Sequence, residues 1–398
     1  MMKKTIDTEL KLHAEVIDCV ALDHPQTPQE LQEECIASIT LTFVMKVRYM
    51  AIKQYIEACG SARALLANPT LLEERVPEVS KKHLALLLDT KEAQHKAQEE
   101  WVYIQDKGLQ CICYCDSKYP SRLRECIDAP VVLYTHGQVD FNCSKVLAIV
   151  GTRHITPYGK QVVGAFLKDL ARSCPDVLVV SGLAYGVDIH AHRACLEYNI
   201  KTVAVLAHGL DRIYPSVHRK TAGDIVKQGG GLLTDYPINT TPEKHHFIAR
   251  NRIVAGMADA TLVIESATKG GSLITADLAE SYNRPVFAVP GKISDPYSEG
   301  CNEWIRTNKA YCATCMEFII EQLNWDYQSP AAILPEIFPE LTKEEEAICV
   351  LLRDEGDMSV DELSVSLCLP ANVLIGLLMQ LELKGVVMIL AGNRYQLR

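Results

Sequence analysis

The sequence predicts a doubly wound α/β fold: a parallel sheet covered on both faces, with helices before it and a winged-helix-like module after it. Three observations lead there. Between about residues 109 and 325, short apolar runs alternate with amphipathic stretches: VLAIV (146–150), VLVVS (177–181), TVAVLA (202–207), GLLTD (231–235), ATLVIES (260–266) and PVFAVP (285–290). Continuous Val/Ile/Leu runs separated by helices mark strands buried on both faces. The chain before them is helix-periodic, and the chain after them holds three helix-like segments and a hairpin.

Taken in order, IASITLTFVMKVRYMAIKQYIEACG carries apolar residues at helical spacing and ends on Gly60, a helix C-cap residue. SARALLANP opens a short helix at Ser61, and further helices are expected near 79–88 and 91–101. A strand is expected over 110–114. NWDYQSPAAILPEIFPE, with three prolines, reads as a linker. LTKEEEAICVLLRDEG opens at Thr342 with Glu345 three residues on, a capping box. SVDELSVSLCL and PANVLIGLLMQLELKG, ending at Gly385, are the next two helices, and VVMILAGNRYQLR turns back at Gly392-Asn393. The expected division is 1–100 helical, 101–326 α/β, 327–341 linker and 342–398 winged helix.

Length allows two or three cores, and 48% hydrophobic with 23% charged residues is an ordinary globular balance. No apolar run is long enough to span a bilayer, and the start lacks a signal peptide's apolar core, so a cytoplasmic protein is expected. The fifteen cysteines read as reduced thiols. Cys111, Cys113 and Cys115 alternate along the expected strand. Cys312 and Cys315 have the spacing of half a zinc site, but no second half lies nearby in sequence, so no metal is assigned. The net charge is -10, unevenly spread. Residues 144–325 hold 19 Lys+Arg against 17 Asp+Glu, whereas the segments on either side are acidic. A phosphate backbone would meet the middle segment first.

Ligands of open α/β sheets bind beyond the carboxyl ends of the strands. After VLAIV stands Gly151-Thr152-Arg153, a permissive glycine and an arginine placed for an anion. The dinucleotide fingerprint G-x-G-x-x-G is absent, so no nucleotide cofactor is expected. After VLVVS, Gly182 and Gly186 frame a loop, and Asp188 is a plausible N-cap for the helix that follows. His190 and His192, two apart, do not share a helix face. His208 to Pro215 either lines a cleft or simply closes its strand. Gly270-Gly271-Ser272 opens a helix as a phosphate cradle does, without the G-K-[ST] ending of a nucleotide-hydrolysing loop; otherwise Ser272 is only a helix cap.

HHFIARNRIVAG (245–256) crowds Arg250, Asn251 and Arg252 behind Phe247. With a helix starting near Phe247, the arginines stand about 200° apart. One faces ligand; the other crosses the domain to a buried carboxylate such as Glu265. Asn251 can bond backbone or bases. Lys244 and Phe247 set an ammonium beside a ring, which suits single-stranded nucleic acid. A core phenylalanine with a solvated lysine is the plainer alternative.

Together, GTR, SGLAYGVDIHAH, GLDRIYP, FIARNRIVAG, VIES with GGSLITA, and VFAVPG with EGCNEWI resemble, in this order, the DNA-processing protein A (DprA, or Smf) family. The likeness covers about residues 100–325, including YPSRLRECIDAPVVLYTHG. It implies an extended Rossmann-like domain that binds single-stranded DNA without catalysing a reaction. It further implies loading of the recombinase RecA in natural transformation or recombination, and homodimers formed through that domain. By motif, the resemblance assigns DNA contact to Arg153, Lys244, Phe247, Arg250, Asn251 and Arg252; Gly151, Gly182 and the turn Gly270-Gly271-Ser272, read from the strand-end loops, join them as candidate DNA-binding residues. The N-terminal helices are similar to a SAM-like or helix-hairpin-helix region, and the tail to a winged helix. The chain departs from the family pattern at Thr234-Asp235, Gly270 and Lys309-Ala310. TFVMKV (42–47) lacks the hairpin glycine, so the N-terminal helices are not assigned DNA contact. The expected recognition helix, 370–384, is poor in cations and is expected to meet protein or to tune access to the main site. A rival assignment is a Rossmann-like nucleotide phosphoribohydrolase of the lysine-decarboxylase-like group, using Glu265 with the 270–272 turn. A third is a scaffold that docks partners without binding DNA.

Overall fold

The computed structural model describes residues 22–46, 49–76, 79–325, 341–356, 358–367, 369–384, 386–390 and 394–397. The chain divides into two compact units, Met1–Gln328 and Ser329–Arg398. Most of the linker expected over 327–341 and the turn at Gly392-Asn393 lie outside the described residues.

The first unit begins with six helices: α1 (Pro28–Met45), α2 (Tyr49–Cys59), α3 (Ala62–Ala67), α4 (Leu71–Arg75), α5 (Lys81–Leu88) and α6 (Lys91–Asp106). Thr27 caps α1 in a full capping box with Glu30, and Ser61 caps α3. The helical stretch expected to run unbroken to Gly60 is two helices. Lys46 takes a positive φ of 54° and ends the first of them. Gly60, at φ 90°, terminates the second as its composition suggested. The helix expected over 91–101 continues to Asp106, through the boundary placed at residue 100. The apolar faces of these helices, including Ile39, Leu41, Ile52 and Ile56, join one core with Ile112, Leu133 and Tyr134 of the sheet.

The sheet has nine strands: β1 (Gln110–Cys113), β2 (Val132–His136), β3 (Val146–Val150), β4 (Leu178–Ser181), β5 (Lys201–Val205), β6 (Gly231–Thr234), β7 (Ala260–Val263), β8 (Val286–Ala288) and β9 (Tyr311–Cys312). Their order is β1-β2-β6-β5-β4-β3-β7-β8-β9, and the helices of this part of the chain include α7 (Ser121–Arg124), α10 (Arg219–Lys227), α13 (Glu299–Arg306) and α14 (Met316–Gln322). From β6 to β9 every pairing is parallel, with Ile149 opposite Leu262 and Ser181 opposite Ala204. The six expected strands are all present. Sequence periodicity did not announce the antiparallel pair β1 and β2 as an extension beyond β6. Alternate residues serve opposite faces. Val146, Ala148 and Val150 pack toward the N-terminal helices, whereas Leu147 and Ile149 pack toward α8 (Pro157–Ser173) and α9 (Val187–Glu197). The direction in which successive strands are added to the sheet reverses between β3 and β7, so the loops after these two strands flank a topological switch point. Among the described residues no helix is long and apolar enough to cross a membrane.

The second unit contains α15 (Lys343–Glu355), α16 (Val360–Leu367) and α17 (Ala371–Leu383), with a three-stranded sheet in the order β10-β12-β11. The expected hairpin is β11 (Val387–Leu390) against β12 (Arg394–Leu397), joined by the short β10 (Met358–Ser359). Thr342 and Glu345 form the capping box read from the sequence. The Glu345 carboxylate is fully buried and accepts from Lys384 Nζ at 2.8 Å, which together with the Thr342 N–H holds its pKa down. Ile348, Leu363, Leu374 and Leu378 form the core.

Candidate nucleic-acid interface

The loop after β3 is fixed from both sides. Thr152 N–H donates to the Glu265 carbonyl at 2.7 Å, and Thr156 N–H donates to the Glu265 carboxylate at 2.9 Å. Thr156 Oγ1 donates to the other carboxylate oxygen and also caps α8 by accepting from Gly159 N–H. Between these anchors Arg153 and His154 are exposed. Glu265 is 1% exposed and committed to Thr156. That corrects its expected pairing with an arginine of the 250–252 segment. It also removes the carboxylate that the phosphoribohydrolase assignment needed.

The helix carrying the basic segment is α11 (Lys244–Gly256). It starts at Lys244, three residues earlier than expected, with Glu243 as N-cap. Lys244 is therefore exposed on the first turn and Phe247 is half-buried one turn on. The cation over the Phe247 ring is not Lys244, as the spacing suggested. It is Arg153, whose guanidinium carbon lies 5.4 Å from the ring centroid. Tyr214 packs edge-on against the same ring at 5.7 Å and stays 46% exposed. Tyr185, from the loop after β4, is equally open and rests edge-on against buried His218. Arg153, Phe247, Tyr214 and Tyr185 thus come from four segments at the carboxyl ends of the parallel strands. The two tyrosines were not singled out in the sequence. Their signal was an aromatic residue in a loop immediately past an apolar run.

Both arginines of the 250–252 segment are interior, at 4% and 5% exposure, so neither presents its guanidinium to a ligand. The 200° separation sends them to different walls. Arg250 Nη1 donates to the carbonyls of Gly182, at 2.8 Å, and of Val205, at the ends of β4 and β5. Gly182 makes room for it, since a Cβ there would lie 2.4 Å from Arg250 Nη2. The expected role of Gly182 in close ligand approach gives way to this packing, and the residue is buried. Burial lowers the Arg250 pKa, opposed by nearby Asp188. Asp188 sits in the first turn of α9, where Gly186 is the N-cap instead. Its carboxylate accepts from Gly182 N–H at 3.1 Å, and burial pushes its pKa up against the pull of Arg250.

Arg252 pairs with Asp235 at 2.5 Å, donates to the Asp128 carbonyl and lies 4.0 Å over the Tyr49 ring. It joins α11 to β6, to the 128 turn and to α2. Asn251, between the two arginines, is partly exposed.

Gly151 backs onto Val187, whose methyl would lie 2.4 Å from a Cβ, so its lack of a side chain serves helix packing. In the loop after β7, Gly270 is the N-cap of α12 (Gly271–Ser281) and Gly271 is exposed. Ser272 is buried and donates to Ser266 Oγ at 2.8 Å. It is neither the expected helix cap nor an outward hydroxyl for phosphate. His208 closes its own turn, with Nε2 accepting from Tyr214 N–H at 3.2 Å. His192 is buried, and desolvation lowers its pKa to about 3, so it is neutral. Cys113 and Cys115 are buried, Cys111 is partly so, and Cys312 and Cys315 are exposed.

The family model for DNA recombination-mediator protein A matches residues 110–324, and one for the DprA winged helix domain matches 329–393. Protein Smf of Escherichia coli (strain K12) is 33% identical over 296 residues, spanning 70% of this chain and 75% of that protein. The solved structure of DNA processing protein A from Streptococcus pneumoniae superposes with a TM-score of 0.59 at 29% identity. It covers 74% of this chain and 98% of its own. DNA processing protein A from Helicobacter pylori, whose structure is described for its single-stranded DNA binding mode, gives a TM-score of 0.50 at 31% identity. It covers 55% of this chain and 97% of its own.

Proposed function

The chain belongs to the DNA recombination-mediator protein A family, and from that premise we propose that it binds single-stranded DNA and passes it to a RecA-type recombinase. The observation that carries the reading is the Arg153 guanidinium over the Phe247 ring, beside exposed Tyr214, at the switch point of the sheet. Cations track phosphates and rings stack on unpaired bases, a combination that tolerates any sequence. Lys244 on the first turn of α11 and exposed Gly271 at the start of α12 extend the surface. Arg250 and Arg252 hold its frame from beneath. In this reading the protein is not an enzyme and needs no cofactor. It acts in the cytoplasm as a homodimer built through the Rossmann-like domain of residues 101–326. The helices of 1–100 support that domain, and the winged helix of 342–398 meets protein or regulates access. The absence of Lys and Arg from α17 supports that last assignment.

The test is binding of fluorescent single-stranded and double-stranded oligonucleotides across a salt titration. Single strands should bind more tightly, with affinity falling steeply in salt. Arg153→Ala should weaken binding alike for all sequences, and Lys244→Ala should reduce the salt slope by about 0.7. Unchanged affinity of Arg153→Ala at matched salt would overturn the site.

A further inference from the structure

A second concave surface lies beside the 151–156 loop. A cavity of about 600 Å³ is lined by Thr156, Pro157, Tyr158, Pro290, Gly291, Lys292 and Asp295. Its two sides are the start of α8 and the chain leaving β8. They are held in fixed relation. Tyr158 OH donates to the Pro290 carbonyl at 2.8 Å while the residue stays 45% exposed. Asn302 brackets Gly291, accepting from its N–H at 3.1 Å and donating to its carbonyl at 3.0 Å. His154 and Tyr297, each two residues beyond a lining residue, stack with centroids 5.9 Å apart and planes at 29°.

The chemistry of the lining selects its guest. The tyrosine and two prolines offer flat apolar surface of the kind that stacks on a base. Lys292 and Asp295 cancel in charge, so the cavity is not built for a bare phosphate. A carboxylate accepts from an exocyclic amine, and an ammonium donates to a ring nitrogen or carbonyl. Thr156 is three positions beyond Arg153, so their Cα atoms are at most about 11 Å apart. A strand held at Arg153 and Phe247 therefore reaches the cavity within a few nucleotides.

We propose that this cavity is a second base-binding subsite, which takes an unstacked, amine-bearing base from the same single strand. The proposal rests on the single-strand reading above and adds to it a preference that stacking and phosphate contacts do not supply.

The test compares oligo-dC with oligo-dT, equal in length, on the full chain at neutral pH and fixed salt. Wild type should favour dC by roughly 5- to 150-fold, since one hydrogen-bonded base edge contributes about 1–3 kcal/mol of discrimination. Asp295→Ala should bring the two affinities within about two-fold of each other while leaving dT binding unchanged. Tyr158→Ala should weaken dC more than dT. Arg153→Ala should weaken both equally. No preference in wild type, or a preference that survives Asp295→Ala in a variant with native circular dichroism, overturns the subsite and leaves the single-strand reading intact. Failure of wild type to bind either oligonucleotide overturns both.

Discussion

Replacing Glu100 by Gln should remove a pH dependence of stability that originates beneath the proposed interface. Glu100, on α6, is 3% exposed and accepts from Ile238 N–H at 2.9 Å. Ile238 lies in the segment leading to Lys244, where Asn239 N–H also donates to Asp211 at 3.1 Å. Burial raises the Glu100 pKa from 4.5 to about 7, opposed by the Ile238 N–H and assisted by Asp211. Between these values the folded chain holds a proton that the unfolded chain has released. Stability from this group is therefore complete below pH 4.5 and is lost as pH rises through 7. At 1.36 kcal/mol per unit, the 2.5 units between the two pKa values amount to about 3 kcal/mol. The amide introduced by Glu100→Gln keeps a carbonyl acceptor but does not titrate. Wild type should thus lose about 2.5 kcal/mol relative to this variant between pH 5 and pH 8. For a unit of about 300 residues that is a relative Tm change of roughly 4 °C. Parallel melting profiles followed by calorimetry at pH 5, 6, 7 and 8 provide the measurement. Curves for the two proteins that stay parallel across this range would refute the reasoning.

Three further outcomes follow from the same structure. Phe247→Ala should cost about 1–3 kcal/mol of single-strand affinity, roughly 5- to 150-fold, with little loss of melting temperature, as read by anisotropy and calorimetry. Asp235→Ala leaves the Arg252 guanidinium buried without its ion pair and should destabilise the first unit by about 3–5 kcal/mol in urea unfolding. Thr342→Ala removes the α15 capping box and should cost about 1 kcal/mol. Amide exchange in the full chain should show that loss within residues 343–355, with the α/β unit unaffected.

The six parallel strands were legible because burial on both faces forces continuous apolar runs. The capping residues Thr342 and Ser61 were legible because their chemistry is local. The partner of each arginine was not. Helical geometry required Arg250 and Arg252 to diverge, but the acceptors, the Gly182 and Val205 carbonyls and Asp235, are distant in sequence. Only the assembled sheet brings them close. Arg153 was expected opposite Phe247, but its direct contact with the ring was not legible, for the same reason. Spacing can compare residues on one helix, and it offered Lys244 as neighbour to Phe247, whereas the actual neighbour arrives from β3. Strands β1 and β2 were hard to place in the sheet because antiparallel addition beyond β6 leaves no mark on either strand's own pattern.

The two interior arginines also bear on how loss-of-function variants are read. They clamp the distal turns of α11 to three β-strands and to α2, so the end that carries Lys244 and Phe247 is already set in the free protein. A preset surface spends little conformational entropy on association. Substituting Arg250 or Arg252 would slacken that end, and a genetic screen would score the variants as binding-defective although neither side chain meets the ligand. Scoring melting temperature beside affinity separates the two classes: a true contact lowers affinity alone, and a clamp lowers both.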